Sequence, residues 1–157
     1  MIFGFPNPVN EKAARVVAGV VDVIAIGALA SGLYWLAAVL AYGFIARVLS
    51  GPRLSPLGRM ASSLVAPALG PPKYVPGPPK RFAQGIGAVV TTGAAIAAFA
   101  GDDTIAIVGL SMIVVAATLE SVLALCVGCQ LFAALMRLGL VPASVCAECA
   151  DVSLRGV

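Results

Sequence analysis

The sequence predicts an all-α integral membrane protein: a four-transmembrane-helix bundle built as two hairpins with a Pro-rich cytoplasmic connector. Three observations carry that expectation. Of 157 residues, 61% are hydrophobic and only 11% charged, against about 25% charged in an average soluble domain. Ten basic and seven acidic side chains are too few to coat a soluble fold of this length. The apolar residues also gather into stretches about as long as a helix needs to cross a hydrocarbon core of roughly 30 Å. Finally, the basic residues all fall on one side of the implied topology. The length suits a single membrane domain, 1–157. The net charge of +3 comes with no basic stripe or interleaved aromatics, which argues against nucleic acid as a partner and leaves the lipid bilayer as the main one.

Taking the elements in order, Met1 to Asn10 has neither a basic n-region nor a small-residue cleavage pattern. The first span is therefore expected to stay as an anchor. Asn10 can cap a helix whose first residue, Glu11, suits the positive end of the helix dipole. Span one covers about 13–31, and Ser31-Gly32 offers a turn. Span two covers 33–49 and opens on Tyr34 and Trp35, whose amphipathic rings favour the membrane interface.

Residues 50–81 are broken by Ser50-Gly51-Pro52, Pro56, Pro67 and the run Gly70 to Pro79, and carry Arg53, Arg59, Lys73, Lys80 and Arg81. Within this connector a short interfacial helix is expected from Ser55 to Leu69, capped by Ser55, with Pro56 at its first position and Leu57, Met60, Leu64 and Val65 towards lipid. Pro71 to Pro79 is expected to stay extended as a stiff spacer. Span three covers 82–100, and Gly87, Thr91 and Ala95 give it a small-residue face for another helix. Gly101-Asp102-Asp103 makes the second tight turn. The last apolar stretch, Thr104 to Leu138, would be about 52 Å long as one straight helix. Span four should therefore end near Leu125 (104–125), with a break around Gly128 and a continuation along the surface to Arg137. The cytoplasmic C-terminal tail is 139–157.

No Lys or Arg falls in either tight turn, where the only charges are Asp102 and Asp103. The positive-inside rule places those turns outside and both termini in the cytoplasm, in a multi-pass arrangement in the bacterial inner membrane.

The sharpest local signal is the pair of motifs Cys126-Val-Gly-Cys129 and Cys146-Ala-Glu-Cys149. This spacing is compatible with one tetrahedral zinc held by four thiolates, because each pair can bite the metal while the intervening chain folds back. It is equally compatible with dithiols that cycle, since cysteines three apart on a helix share a face. A permanent structural disulfide is not expected in a reducing cytoplasm. Two carboxylates lie at membrane depth: Asp22 in span one, and Glu120 in the inner half of span four. Intramembrane acids face a partner or a wet cavity, and here either hydrogen-bond Thr91, Thr92 or Ser111 or serve a small permease. Glu120 and Cys126 would point about 120° apart on an ideal helix, so direct proton transfer between them needs a bend or a water. The chain has no histidine, which removes imidazole haem ligation and Ser-His or Cys-His catalysis.

Several segments together resemble a bacterial membrane family, common in actinobacteria and known only as a domain of unknown function, DUF4395. They are Val9-Asn10-Glu11, Gly51-Pro52-Arg53-Leu54-Ser55-Pro56-Leu57, Pro79-Lys80-Arg81-Phe82-Ala83, and Glu120 followed by Cys126-Val127-Gly128-Cys129. The resemblance implies a small four-helix membrane protein whose genes often neighbour thioredoxin-like proteins and sulfurtransferases, and so tilts the cysteines towards thiol or sulfur handling. One departure is that no acidic residue stands near Tyr42-Gly43-Phe44, ahead of Arg47. The resulting expectation is a thiol-disulfide or persulfide relay. In it, Cys126 and Cys129, assisted by Glu120, exchange with Cys146 and Cys149, and a thioredoxin-like protein or sulfurtransferase meets the tail. The alternatives are a structural subunit with zinc held by all four cysteines and a permease using Asp22 and Glu120.

Overall fold

The computed structural model of the chain describes residues 4–150. Residues 1–3 and the last part of the tail, 151–157, lie outside the described residues. Apart from one pair of two-residue strands the described chain is helical. Strand β1 (Val9–Asn10) leads into α1 (Glu11–Ser31), and Asn10 caps α1 by accepting from the Lys12 amide at 3.0 Å. Gly32, at φ 71°, ends α1 in the left-handed conformation that a residue without Cβ adopts at little cost. Helix α2 runs Leu36–Ser50, so Leu33 to Trp35 belong to the turn and not to the span.

The helix expected within the connector is present but interrupted. It consists of α3 (Pro56–Met60), a π-helical turn (Ala61–Val65) and α4 (Ala66–Ala68). Ser55 is its cap, accepting from the Gly58 amide at 3.2 Å. Met60, Leu64 and Val65 are exposed as expected, whereas Leu57 turns inward against the core.

Strand β2 (Tyr74–Val75) pairs antiparallel with β1, Val9 opposite Val75 and Asn10 opposite Tyr74. The junction is reinforced by the Glu11 amide donating to the Lys73 carbonyl at 2.8 Å, by a Lys73–Glu11 ion pair at 3.0 Å, and by Lys12 donating to the Leu69 carbonyl at 2.8 Å. The expected extended spacer therefore ends earlier than Pro79. Helix α5 (Gly77–Ala100) begins at Gly77, because Pro78 and Pro79 occupy first-turn positions where a missing N–H costs nothing and Asn7 accepts from the Gly77 amide at 2.8 Å.

After Gly101, Asp102 caps α6 (Asp103–Leu123), accepting from the Ile105 amide at 3.1 Å. The break that follows is at Ala124, not Gly128. Ala124 adopts φ 56°, the Leu125 amide reaches back to the Leu119 carbonyl at 3.0 Å, and α7 (Val127–Arg137) follows after Leu125 and Cys126. Arg15 of α1 satisfies α6's last carbonyls, donating to Ser121 at 2.9 Å and Val122 at 3.2 Å. Gly128 lies inside α7 for a different reason: a Cβ there would sit 2.5 Å from that of Ala83 on α5. A 3₁₀ turn (Ala143–Val145) and a short helix, α8 (Ala147–Ala150), close the described chain.

Helices α1, α5 and α6 are each long and apolar enough to cross a membrane, whereas α2 and α7 are shorter apolar helices of 15 and 11 residues. Helices α1 and α2 lean less on each other than on the later helices: α1 lies along α6, α2 along α5, α5 along α6, and α7 along the start of α5. Small residues fill the inside, among them Ala25, Ala28, Ala37 and Ala106, each fully buried. Large ones face out, with Val23, Val89, Ile96 and Phe99 65% to 74% exposed. That inversion suits lipid as the surrounding medium, where close backbone approach, not a drive to hide Val and Phe, holds helices together. Gly87, Thr91 and Ala95 are all buried, as their spacing predicts, and the Phe44 ring of α2 occupies the space a Cβ on Gly87 would need.

Candidate functional site

The chemistry-bearing residues meet at the end of the bundle where α5 starts and α6 stops. Helix α5 delivers Lys80 and Gln84 from its first two turns, α2 delivers Arg47 from its last, and α6 delivers Glu120 one turn before its end. Lys80 donates to Glu120 Oε1 at 2.5 Å, and both side chains are nearly buried, with 9% and 15% of their surface exposed. An acid at membrane depth thus has a cation as its partner. The expected hydroxyl partners, Thr91, Thr92 and Ser111, do not serve either acid. Thr91 donates to its own helix at Gly87, 2.7 Å away, and Asp22 accepts at 2.8 Å from Thr118, on α6. A threonine in the last turns of α6 is the hydroxyl in reach because α1 lies along α6.

Arg47 is 6% exposed. Its Nε donates to Gln84 Oε1 at 2.7 Å, its Nη1 is 3.4 Å from Ser55 Oγ, and its guanidinium carbon stands 4.7 Å from the Phe44 ring centre. Its Nη2 is buried and has no hydrogen-bond partner among the described residues.

The break at Ala124 aims Cys126 back at this cluster, which removes the 120° divergence an unbroken helix would impose on Glu120 and Cys126, roughly as ideal helix geometry has it. Cys126 is the cap of α7, with its sulfur accepting from the Cys129 amide at 3.4 Å. It is buried and Cys129 is half-buried, and both are free thiols. A hydrogen bond from the Cys129 side chain, helped by the nearby charge of Lys80, holds the Cys126 thiol below its ordinary pKa, against the opposing effects of burial and Glu120. The same bond, together with burial, pushes the Cys129 thiol far up. The pair is therefore asymmetric: the thiolate is favoured at Cys126 and the proton is kept at Cys129.

Cys146 and Cys149 form a disulfide, with their Cα atoms 5.3 Å apart. Cys146 immediately precedes α8 and Cys149 lies within it, so the turn that opens the helix brings the two onto one face. The four-cysteine zinc site is not assembled, since a bonded pair has no thiolates to offer. Among the described residues no group of three or more Cys, Asp or Glu side chains is placed to hold a metal.

Two spaces meet at Cys126. One is a cleft of about 1420 Å³ bordered by Lys80, Cys126, Cys129, Arg137, Glu148 and Cys149, so the free pair and the outer sulfur of the bonded pair share its walls. The other is an almost wholly apolar cavity of about 640 Å³, whose few polar walls are Arg47, Gln84, Ser111, Glu120 and Cys126. Sequence reasoning found the cysteines and Glu120 but took Lys80 for a connector charge and gave Arg47 and Gln84 no role. The available signal was Glu120 itself: a carboxylate in the inner half of a span needs a cation, and Lys80 stands where the neighbouring span begins.

No curated protein and no solved structure matches the chain. Residues 9–137 match the profile of a family described as a domain of unknown function, DUF4395, which spans the break at Ala124 and the site around it, and the chain belongs to that family.

Proposed function

We propose that the chain is a thiol-disulfide relay of the bacterial cytoplasmic membrane, with α1, α2, α5 and α6 as four spans and both termini in the cytoplasm. The contacts of Lys12, Arg15, Lys73, Lys80 and Arg81 at a single end of the bundle support that orientation. The observation that supports the relay is the shared cleft, lined by both sulfurs of the reduced, asymmetric dithiol and by Cys149 of the closed disulfide. Cys149 is the sulfur that lines the cleft, whereas Cys146 is buried.

In the exchange, the Cys126 thiolate bonds to Cys149 and the Cys146 thiolate leaves. Cys129, giving up its proton, then attacks Cys126 and frees Cys149. The result is a Cys126–Cys129 disulfide and a tail dithiol, with no net gain or loss of electrons, and the reverse runs through the same mixed disulfide. Lys80 favours the thiolate and Glu120 fixes Lys80. A soluble thioredoxin-like protein or sulfurtransferase exchanges with the tail pair.

The test is to trap the intermediate. Cys129→Ser cannot resolve the mixed disulfide, so peptide mapping of this variant should recover Cys126 joined to Cys149. Metal content and thiols are counted alongside on wild-type protein purified without chelator. About one zinc per chain with all thiols protected, the stoichiometry of a single tetrahedral thiolate site, or no Cys126–Cys149 link in the variant, would sink the relay.

A further inference from the structure

A relay needs a terminal partner for the Cys126/Cys129 pair as well as for the tail, and the apolar cavity is placed to hold one. Its volume of about 640 Å³ lies in the range of small-molecule sites, as does its make-up of apolar walls with a few convergent polar groups. It is not sealed: Val108, Met112 and Val115 of α6 line it and are 56% to 61% exposed, so it opens through the lipid-facing side of the bundle. Arg47 lines its polar end, and its Nη2 is a buried charged donor with no partner among the described residues. Leaving such a donor unbonded is costly, and a small turn of the guanidinium would bring it to a ligand's acceptor oxygen in the cavity. Cys126 borders the same space. A ligand that enters from lipid, offers a carbonyl oxygen and sits beside a dithiol has the chemistry of a lipid-soluble quinone.

We propose that this cavity binds a membrane quinone and that the Cys126/Cys129 dithiol reduces it. This rests on the relay reading and names its membrane-side substrate. The two thiols lose two protons and two electrons and form one S–S bond; the quinone takes both protons and both electrons and leaves as quinol. Arg47 donates to a quinone carbonyl through Nη2, which strengthens as negative charge develops on that oxygen. The arrangement in the structure, tail pair oxidised and Cys126/Cys129 reduced, is the state that follows electron transfer from the tail pair's partner and precedes transfer to quinone.

The experiment uses the full chain in detergent, reduced, desalted without oxygen and mixed with decylubiquinone, with a short-tailed naphthoquinone in a parallel arm. Quinol formation is followed by absorbance and thiols are titrated. The expected result in at least one arm is one quinol per two thiols lost, with the reaction absent from Cys126→Ala; in a Cys146→Ala/Cys149→Ala background, where the tail cannot take over the oxidation, the new disulfide maps to Cys126 and Cys129. Arg47→Gln should raise the KM for quinone at least tenfold. If that variant does not fold, Met112→Trp, which fills the cavity from its lipid side, should lower the rate at least tenfold while still eluting as a single species. Diamide on the wild type separates the two readings. If diamide closes the Cys126–Cys129 bond but neither quinone takes electrons, the quinone inference falls and the relay stands; if neither oxidant closes it, both fall. Quinol formation that survives in Cys126→Ala also overturns the inference.

Discussion

The two ends of the bundle are built on opposite principles. At the turn end each helix stops by local means: Gly32 and Gly101 take left-handed conformations, and Asp102 caps the helix that follows it. At the connector end helix termini are completed by side chains from elsewhere. Arg15 of α1 caps the end of α6, Arg81 of α5 donates to the Val48 carbonyl of α2 at 3.1 Å, and Asn7 caps the start of α5. Local caps turn the chain, whereas exchanged caps fix helices to each other. The residues proposed to carry chemistry are all at the second kind of end, where their relative positions are set by several elements at once.

That contrast can be broken most forcefully at the buried ion pair. Glu120→Ala leaves Lys80 enclosed without its carboxylate and should cost about 3–5 kcal/mol, read as a fall in thermal unfolding temperature in detergent. Asp102→Ala at the turn end removes one cap and should cost only about 1 kcal/mol. Equal losses from the two would show that the ends do not differ as described.

A smaller effect is expected where α7 rests on α5. Gly128→Val drives a side chain into Ala83 and should cost about 1–3 kcal/mol. Ala124→Gly should instead stabilise by roughly 1 kcal/mol, since glycine takes the left-handed conformation without the Cβ penalty. If Gly128→Val is neutral and Ala124→Gly destabilises, the assignment of the break to Ala124 is wrong.

The last prediction concerns a displacement along the pH axis. In a Cys146→Ala/Cys149→Ala background, iodoacetamide should label Cys126 with a midpoint below the ordinary thiol pKa. Because the thiolate is the reactive form, labelling falls as pH drops through that midpoint. Cys129→Ala removes the hydrogen bond that lowers the pKa, so the midpoint should move to higher pH. A curve unchanged by Cys129→Ala would assign the effect to Lys80 and the Cys129 amide.

Much of the fold is legible in the sequence, because its signals are local. Hydropathy marks the long helices, Asn10 and Ser55 act as the caps their types suggest, and Gly87-Thr91-Ala95 forms the close-packed face its spacing implies. What is not legible depends on contacts far apart in sequence. Gly128 reads as a helix breaker, but it is small because Ala83 is there; the break falls on Ala124, which carries no breaking signal and is held by Arg15 from over a hundred residues away. Lys80 reads as a solvated connector charge until α5 is seen to begin at Gly77, which carries it into the bundle. Of the candidate site, the reactive atoms can be read from the chain, but the residues that tune them cannot.

The small strand pairing of Val9–Asn10 with Tyr74–Val75 bears on the order in which the protein is made. Its halves lie on either side of the first hairpin, so a ribosome that has released only α1 and α2 has not yet supplied the second strand. Glu11 and Lys12 must wait for Lys73 and Leu69 to emerge. The fastening can close only once the start of α5 is in reach, and α5 brings Lys80 with it. A nascent chain stalled before Leu69 would hold its first hairpin unlatched, and assembly of the site is thereby tied to translation of the connector.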